Sequence, residues 1–220
     1  MDKISIHLGI IMDGNRRWAE KHGLPAIRGH EAGLEALKKI VKHCQKRDIE
    51  VLTVFAFSTE NWQRSEEEVG FLMNLCQKAI NNDFKKLAED GIKIRVIGEK
   101  HMLPRKLADS IIEIEKSTKN NSGMILNIAL SYGGRAEIVS AVNKIQSKEI
   151  TEADITKNLQ APDVDFLIRT GKEYRISNFL LWQSAYAELY FSSKYWPDFT
   201  EEDLDMALNN FASRNSRHGK

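Results

Sequence analysis

The 220-residue chain has only two cysteines, Cys44 and Cys76, and neither sits at metal-ligand spacing. That scarcity leaves no disulfide framework and no thiolate zinc site, and reduced core thiols are the simpler reading. The six histidines form no HExxH-type cluster, which argues against zinc chemistry. Net charge is +1, so no global field draws the chain to nucleic acid or to an anionic membrane. Anions must instead be caught by local clusters of Arg, Lys and backbone N–H groups. No apolar run approaches the ~18 residues of a membrane span, and no signal-peptide pattern opens the chain. The sequence also lacks a GxxxxGK[ST] loop and a GxGxxG fingerprint, which lowers nucleotide binding. Repeats, low-complexity tracts and linkers are missing as well, so one domain over residues 1–220 is expected.

What is present is ordinary for a soluble globular protein: 42% apolar and 29% charged residues. Short apolar runs at 6–12, 51–57, 92–97, 124–130, 164–168 and 188–191 read as strands. Amphipathic stretches at 31–46, 65–90, 105–116 and 136–147 read as helices, with further ones starting near Thr151 and running from about 201 to 214. In 65–90, Leu72, Leu75, Cys76, Ala79, Ile80, Phe84 and Leu87 recur at three- and four-residue steps, giving one apolar face. Ser65 with Glu68 predicts a capping box at its start, and Gly91 its end. Strand–helix alternation of this kind predicts an α/β fold, a largely parallel six-stranded sheet flanked by helices. Ligands of such sheets lie beyond the carboxyl ends of the strands, so the polar residues after each apolar run are the ones to read.

Asp13-Gly14-Asn15-Arg16-Arg17-Trp18 follows the first run. A strand-end carboxylate suits magnesium, which takes one or two carboxylates and fills its other positions with water and substrate phosphates. Gly14 permits close backbone approach, and the two arginines supply charge-assisted contacts. The same triplet is also common turn chemistry. Ser58-Thr59-Glu60-Asn61-Trp62-Gln63-Arg64 after the second run suits a loop that closes over a substrate, or simply a polar surface loop. Tyr132-Gly133-Gly134-Arg135 opens a helix and reads as a weak candidate for an anion-binding start. Arg169 to Asn178 holds Arg169, Lys172, Arg175 and Ser177 around Gly171, a second candidate diphosphate cradle. Glu188 is a carboxylate in an apolar strand and demands a partner or a metal. Two anion sites beside one metal-binding carboxylate fit transfer between two diphosphate substrates; a phosphatase or a nucleotide-binding protein stays open on these residues alone.

The strings HLGIIMDGNRRWA, AFSTENW, SYGGR, IRTGKEYRISNFLLWQSAYAELYF and WPDF resemble the cis-prenyltransferase family, on its undecaprenyl diphosphate synthase branch, in order and over nearly the whole chain. The resemblance implies a hydrophobic tunnel, a homodimer and magnesium dependence. It also implies repeated addition of isopentenyl diphosphate to an allylic diphosphate, usually farnesyl diphosphate, making a long-chain polyprenyl lipid-carrier precursor. By position it makes Asp13 the metal ligand and, with Asn61, catalytic. Gly14, Asn15, Arg16, Arg17, Trp18 and His30 would surround the allylic diphosphate. Ser58, Trp62, Arg64, Arg169, Arg175 and Ser177 would hold isopentenyl diphosphate, and Glu188 would support metal and dimer contacts. Arg217 and Gly219 match a signature that reaches the partner subunit. The 72–87 face and Met124 would line the tunnel. The implied setting is cytoplasmic, peripheral to the inner membrane face that receives the lipid.

Several positions depart from the family's pattern. Ala26 stands where an Arg is usual, with Arg28 displaced by two. Arg16 stands for Gly, Lys172 for a small residue, Ser131 for Asn and Ser65 for Pro. Weaker allylic binding, or substitution by Arg28, is the expected consequence of the first. A short-chain or branching relative, or a non-catalytic subunit of a heteromeric synthase, are the competing readings. The catalytic aspartate argues against the last, and no DDxxD pair of trans-type synthases is present.

Overall fold

A computed structural model describes residues 6–147 and 149–214. Six parallel strands form one sheet in the order β3-β4-β2-β1-β5-β6. They are β1 His7–Ile11, β2 Val51–Ser58, β3 Lys93–Ile97, β4 Ile125–Tyr132, β5 Phe166–Arg169 and β6 Glu188–Phe191. The chain leaves β1 toward β2 on one side and later returns to β5 on the other. The carboxyl ends of β1 and β5 therefore flank the crevice where strand order reverses, the favoured ligand position of open α/β sheets.

One face is packed by α2 (Ala26–Lys46), α3 (Glu66–Lys78), α4 (Phe84–Glu89), α5 (Arg105–Thr118) and α8 (Glu201–Ala212). Leu8, Ile10, Leu52, Val54, Leu126, Ile128, Phe166 and Ile168 supply the sheet side of that core. The other face is covered mostly by irregular chain, with Phe179, Leu180, Ala161 and Val164 meeting Ile11, Ala129, Tyr132 and Leu167. There α6 (Gly134–Asn143) buries Glu137, whose carboxylate accepts from the Tyr132 hydroxyl, from Gln183 Nε2 at 2.9 Å and from the backbone N–H of Gln160 at 2.8 Å. A further helix, α7 (Glu152–Asn158), starts with a capping box between Thr151 and Asp154.

Residues after Asp13, to which the strand and helix reading gave no element, form a helix, α1 (Asn15–Lys21), begun by Gly14 at φ 106°. Three expectations need correction. Helix α2 begins at Ala26 after Pro25 rather than at 31, because Gly29 and Gly33 interrupt the apolar pattern but are needed for close packing. The 65–90 helix exists, yet a π-helical turn at Ala79–Asp83 divides it into α3 and α4. Only half of its capping box forms: Ser65 Oγ accepts from Glu68 N at 3.3 Å, while the Glu68 side chain turns to the cations described below. Among the described residues, no helix is long and apolar enough to cross a membrane.

Candidate active site

Asp13 is fastened at its backbone before its side chain does anything. Its N–H donates to Thr170 Oγ1 at 3.0 Å, and its carbonyl accepts from the Thr170 hydroxyl at 2.7 Å and from Trp196 N–H at 3.0 Å. Trp196 is itself fully buried and donates from Nε1 to the Gly33 carbonyl at 2.8 Å, which ties the WPDF segment to α2. Gly14 and Gly171 are required on either side. A Cβ at Gly14 would lie 2.7 Å from the Tyr195 ring, and one at Gly171 would lie 2.9 Å from Arg17 Nη2 and 3.0 Å from the Asp13 backbone.

The Asp13 carboxylate then bridges two cations. Oδ1 accepts from Arg17 Nη2 at 3.0 Å, and Oδ2 accepts from Arg169 Nη2 at 2.8 Å. Arg169 is buried, with 5% of its side chain exposed, and its Nη1 donates to Ser177 Oγ at 2.7 Å and to the Arg175 carbonyl. Its Nε is buried without a partner. Glu173 links the same group, accepting from Arg17 Nη1 at 3.0 Å and from Arg175 Nη1.

Two connected spaces open here. A cleft of about 590 Å³ is lined by Asp13, Asn15, His30, Ser58, Asn61, Arg64, Arg169, Arg175 and Ser177, so the sequence-predicted groups from three loops do converge. A recess of about 350 Å³ is lined by Asp13, Gly14, Asn15, Arg16, Arg17, His30 and Arg64. Glu20 also lines the recess, and Glu68, which lines neither space, is the counterion the sequence reading missed for its cations, 2.9 Å from Arg64, 3.6 Å from Arg16 and 3.7 Å from His30 Nε2. Its place in a capping pattern hid that role, as position 173 inside a charge run hid that of Glu173. Burial, then the charges of Arg64 and Arg16 against that of Glu68, hold the His30 imidazole below its ordinary pKa, so it is neutral at pH 7. Its Nε2 and Asn15 Oδ1 are both buried without hydrogen-bond partners, polar groups left for a ligand.

Beneath the cleft lies a narrow apolar cavity of about 90 Å³, lined by Leu34, Leu37, Leu72, Leu75, Cys76, Ala79, Ile80, Phe84 and Ile128. Ala56 reaches both spaces because a register irregularity in β2 places it out of step with β4. Leu87 and Met124 belong to the core and line no part of this cavity.

Other expected groups lie elsewhere. Trp18 donates from Nε1 to Asp198 Oδ1 at 2.7 Å and leans on His22, outside both spaces. Trp62 packs edge-on against Phe57 and donates to Ser131 Oγ at 2.9 Å, so it supports its loop from beneath rather than lining the cleft. Asn61 lines the cleft, but its Oδ1 accepts from Ser58 N–H at 3.0 Å, leaving the amide nitrogen for a ligand. Arg28 pairs with Glu31 at 2.8 Å and lines neither space. Glu188 opens β6 in register with Phe166, at the amino ends of the strands, and pairs with Arg214 at 2.8 Å. Within one chain it is at the wrong end of the sheet to meet Asp13. Lys172 sits 5.9 Å from the Tyr195 ring and lines neither space. Arg217 and Gly219 lie outside the described residues.

The family profile described as "Putative undecaprenyl diphosphate synthase" matches residues 11–219. The isoprenyl transferase of Neisseria gonorrhoeae is 49% identical, over 97% of this chain and 89% of its own length. The ditrans,polycis-undecaprenyl-diphosphate synthase of Vibrio vulnificus, farnesyl-diphosphate specific, is 44% identical over 97% and 90%. Among solved structures, lavandulyl diphosphate synthase from Lavandula x intermedia, in complex with dimethylallyl diphosphate, superposes with a TM-score of 0.94 at 36% identity, covering 97% of this chain and 98% of its own. A probable undecaprenyl diphosphate synthase from Campylobacter jejuni gives 0.86 at 34% identity, covering 99% of each chain.

Proposed function

The chain belongs to the undecaprenyl diphosphate synthase family of cis-prenyltransferases, and on that basis we propose that it adds isopentenyl diphosphate repeatedly to an allylic diphosphate. Farnesyl diphosphate is the expected primer and a long-chain polyprenyl diphosphate the product. The observation that carries this reading is the position of Asp13, one carboxylate shared by the arginines of two adjoining cationic spaces.

The recess of Gly14, Asn15, Arg16, Arg17 and His30 suits the allylic diphosphate. Arg16 and Arg17 offer guanidinium forks, while Asn15 Oδ1 and His30 Nε2 are buried polar atoms without a hydrogen-bond partner. Ser58, Asn61, Arg64, Arg169, Arg175 and Ser177 suit isopentenyl diphosphate in the cleft. Glu68 and Glu173 occupy these cations between substrates, so an entering diphosphate exchanges one anionic partner for another and leaves no arginine unpaired. Apolar walls from Leu34, Leu72 and Ile80 would shelter the allylic carbon from water as positive charge develops there.

Magnesium fits this site as a substrate-borne ion. Among the described residues no cluster of three or more His, Cys, Asp or Glu exists to hold a metal alone, whereas one carboxylate with substrate phosphates is an ordinary magnesium environment. Asp13 would hold it, and the ion would neutralise charge on the departing diphosphate. We further assign a homodimer built on β6, an edge strand beside Tyr186 and Leu189, which are 82% and 37% exposed. A second copy would supply the contact that Glu188, at the amino end of β6, cannot make with Asp13 within one chain. A cytoplasmic enzyme working at the membrane face completes the proposal.

A short-chain or branching reaction is the second reading. The apolar cavity of about 90 Å³ favours it, being far below the roughly 300–1,000 Å³ of pockets that bury drug-sized ligands. So does the likeness to lavandulyl diphosphate synthase. Incubating labelled isopentenyl diphosphate with farnesyl diphosphate and magnesium, then separating products by length, decides between them. A ladder of long products is expected. A single short or branched product selects the second reading, and no incorporation overturns both.

A further inference from the structure

Two N–H groups at the Gly133-Gly134 helix start, those of Gly134 and Arg135, are already engaged. Asn178 occupies them: its carbonyl accepts from Gly134 N–H at 2.7 Å and its Oδ1 accepts from Arg135 N–H at 2.9 Å. The same side chain donates from Nδ2 to Glu60 Oε1 at 2.9 Å. One residue thus ties three loops, those after β2, β4 and β5. The junction is tight, since a Cβ at Gly133 would lie 2.6 Å from Thr59 Oγ1 and 2.8 Å from Asn178 Nδ2. Asn178 adopts φ 63°, a left-handed conformation that Asn and Asp accept more readily than most residues. Glu60 is kept ionised, because hydrogen bonds from Asn178 and from Ser58 and Thr59 outweigh the burial that opposes them.

We propose that Asn178 is a positioning residue for isopentenyl diphosphate, pinning the loop of Ser58, Asn61 and Arg64 at a set distance from the loop of Arg169, Arg175 and Ser177. This rests on the assignment of the cleft to that substrate. The two loops grip one diphosphate from opposite sides, so their spacing sets its affinity. No other hydrogen bond or ion pair between described residues joins residues 58–64 directly to residues 169–178. The allylic recess is built mainly on α1 and α2 and takes only Arg64 from the pinned loop, so it should feel the pin less than the cleft does.

The test exploits hydrogen-bond polarity. Asn178→Asp keeps the acceptor for Arg135 N–H and tolerates the backbone, but sets one carboxylate against another at Glu60. Glu60→Gln alone keeps an acceptor for Asn178 Nδ2. The double variant Glu60→Gln/Asn178→Asp restores a hydrogen bond in the reverse sense, Gln donating to Asp. Hydrogen exchange of residues 59–63, read by mass spectrometry, should quicken about tenfold in Asn178→Asp, the loss of one charge-assisted hydrogen bond. It should return toward the starting rate in the double variant. In steady-state assays KM for isopentenyl diphosphate should rise by about tenfold while KM for the allylic diphosphate moves less than about twofold, again with recovery in the double variant. Unchanged exchange, equal weakening of both substrates, or failure of the double variant to recover would overturn the pin. If the unaltered protein transfers no isopentenyl units, the functional reading fails instead, and the exchange arm still decides whether Asn178 holds the loop.

Discussion

Arg169 donates to Asp13 across 2.8 Å, joining the end of β5 to the turn after β1 over 156 residues of sequence. The guanidinium is buried and the carboxylate is partly exposed, so the two groups are not equivalent when one is removed.

Asp13→Ala should therefore do more than stop turnover. It leaves Arg169 buried without its carboxylate, a loss of 3–5 kcal/mol for fully buried pairs and about 1–3 kcal/mol here after discounting for solvent at Asp13. Activity should fall by at least ~10³-fold as charge stabilisation at the diphosphate is lost. Urea midpoints and isopentenyl incorporation measure the two effects. Adding Arg169→Met to Asp13→Ala should recover stability without recovering activity.

Magnesium should bind weakly or not at all to the protein alone, because both Asp13 oxygens are engaged by arginines. Binding should appear once a diphosphate analogue supplies phosphate oxygens and draws the guanidiniums away. Titration calorimetry with and without the analogue checks this. Tight binding to the unliganded protein would contradict the arrangement.

Gly29→Ala should damage the recess from behind. A Cβ there would lie 2.0 Å from the Asn15 carbonyl oxygen, which is backbone and cannot swing aside. Separation of α1 from α2 should cost about 1–3 kcal/mol and displace Asn15. The expected signature is a lower thermal midpoint together with a higher KM for the allylic substrate. Gly70→Ala, with open space around it, is the control.

Acid should weaken the fold through His7 and His30. Burial holds the His7 imidazole below the ordinary value of 6.5, where Nδ1 donates to the carbonyls of Asp163 and Pro162 and Nε2 accepts from Thr53. His30 is lowered by burial and by Arg64. Below pH 6.5 the unfolded chain takes up these protons and the native one resists them, so stability present above that pH falls as pH drops through it. Urea midpoints at pH 7.5 and 5.5 should separate, and His7→Gln should narrow the gap. An undiminished gap in that variant would assign the loss to other groups.

Much of the fold was legible because strand and helix periods are local properties. All six strands lie within three residues of their expected bounds, since each is a short apolar run closed by polar or glycine residues. The start of α2 was not legible, because its glycines look like interruptions until Asn15 is seen packed against Gly29 and Gly33. Among site residues, Asp13, Asn15, Arg169, Arg175 and Ser177 were readable from their place after strands, where ligands collect. Trp18 and Trp62 were expected beside the substrates, but the hydrogen bonds that hold them are not visible in the sequence. Only the fold shows their N–H groups committed to Asp198 and Ser131.

The sequence by itself determined which segments form strands and helices, and which loops carry charge and glycine. Those features depend on neighbours within a few positions. Strand order, and with it the meeting of Asp13 with Arg169, was decided by tertiary structure, as was the separation of Glu188 from both. Charge partners are set by which strand ends share a sheet edge. Glu68, Glu173 and Asn178 took their parts for the same reason, each one an ordinary polar residue until the loops around it were brought within hydrogen-bonding distance.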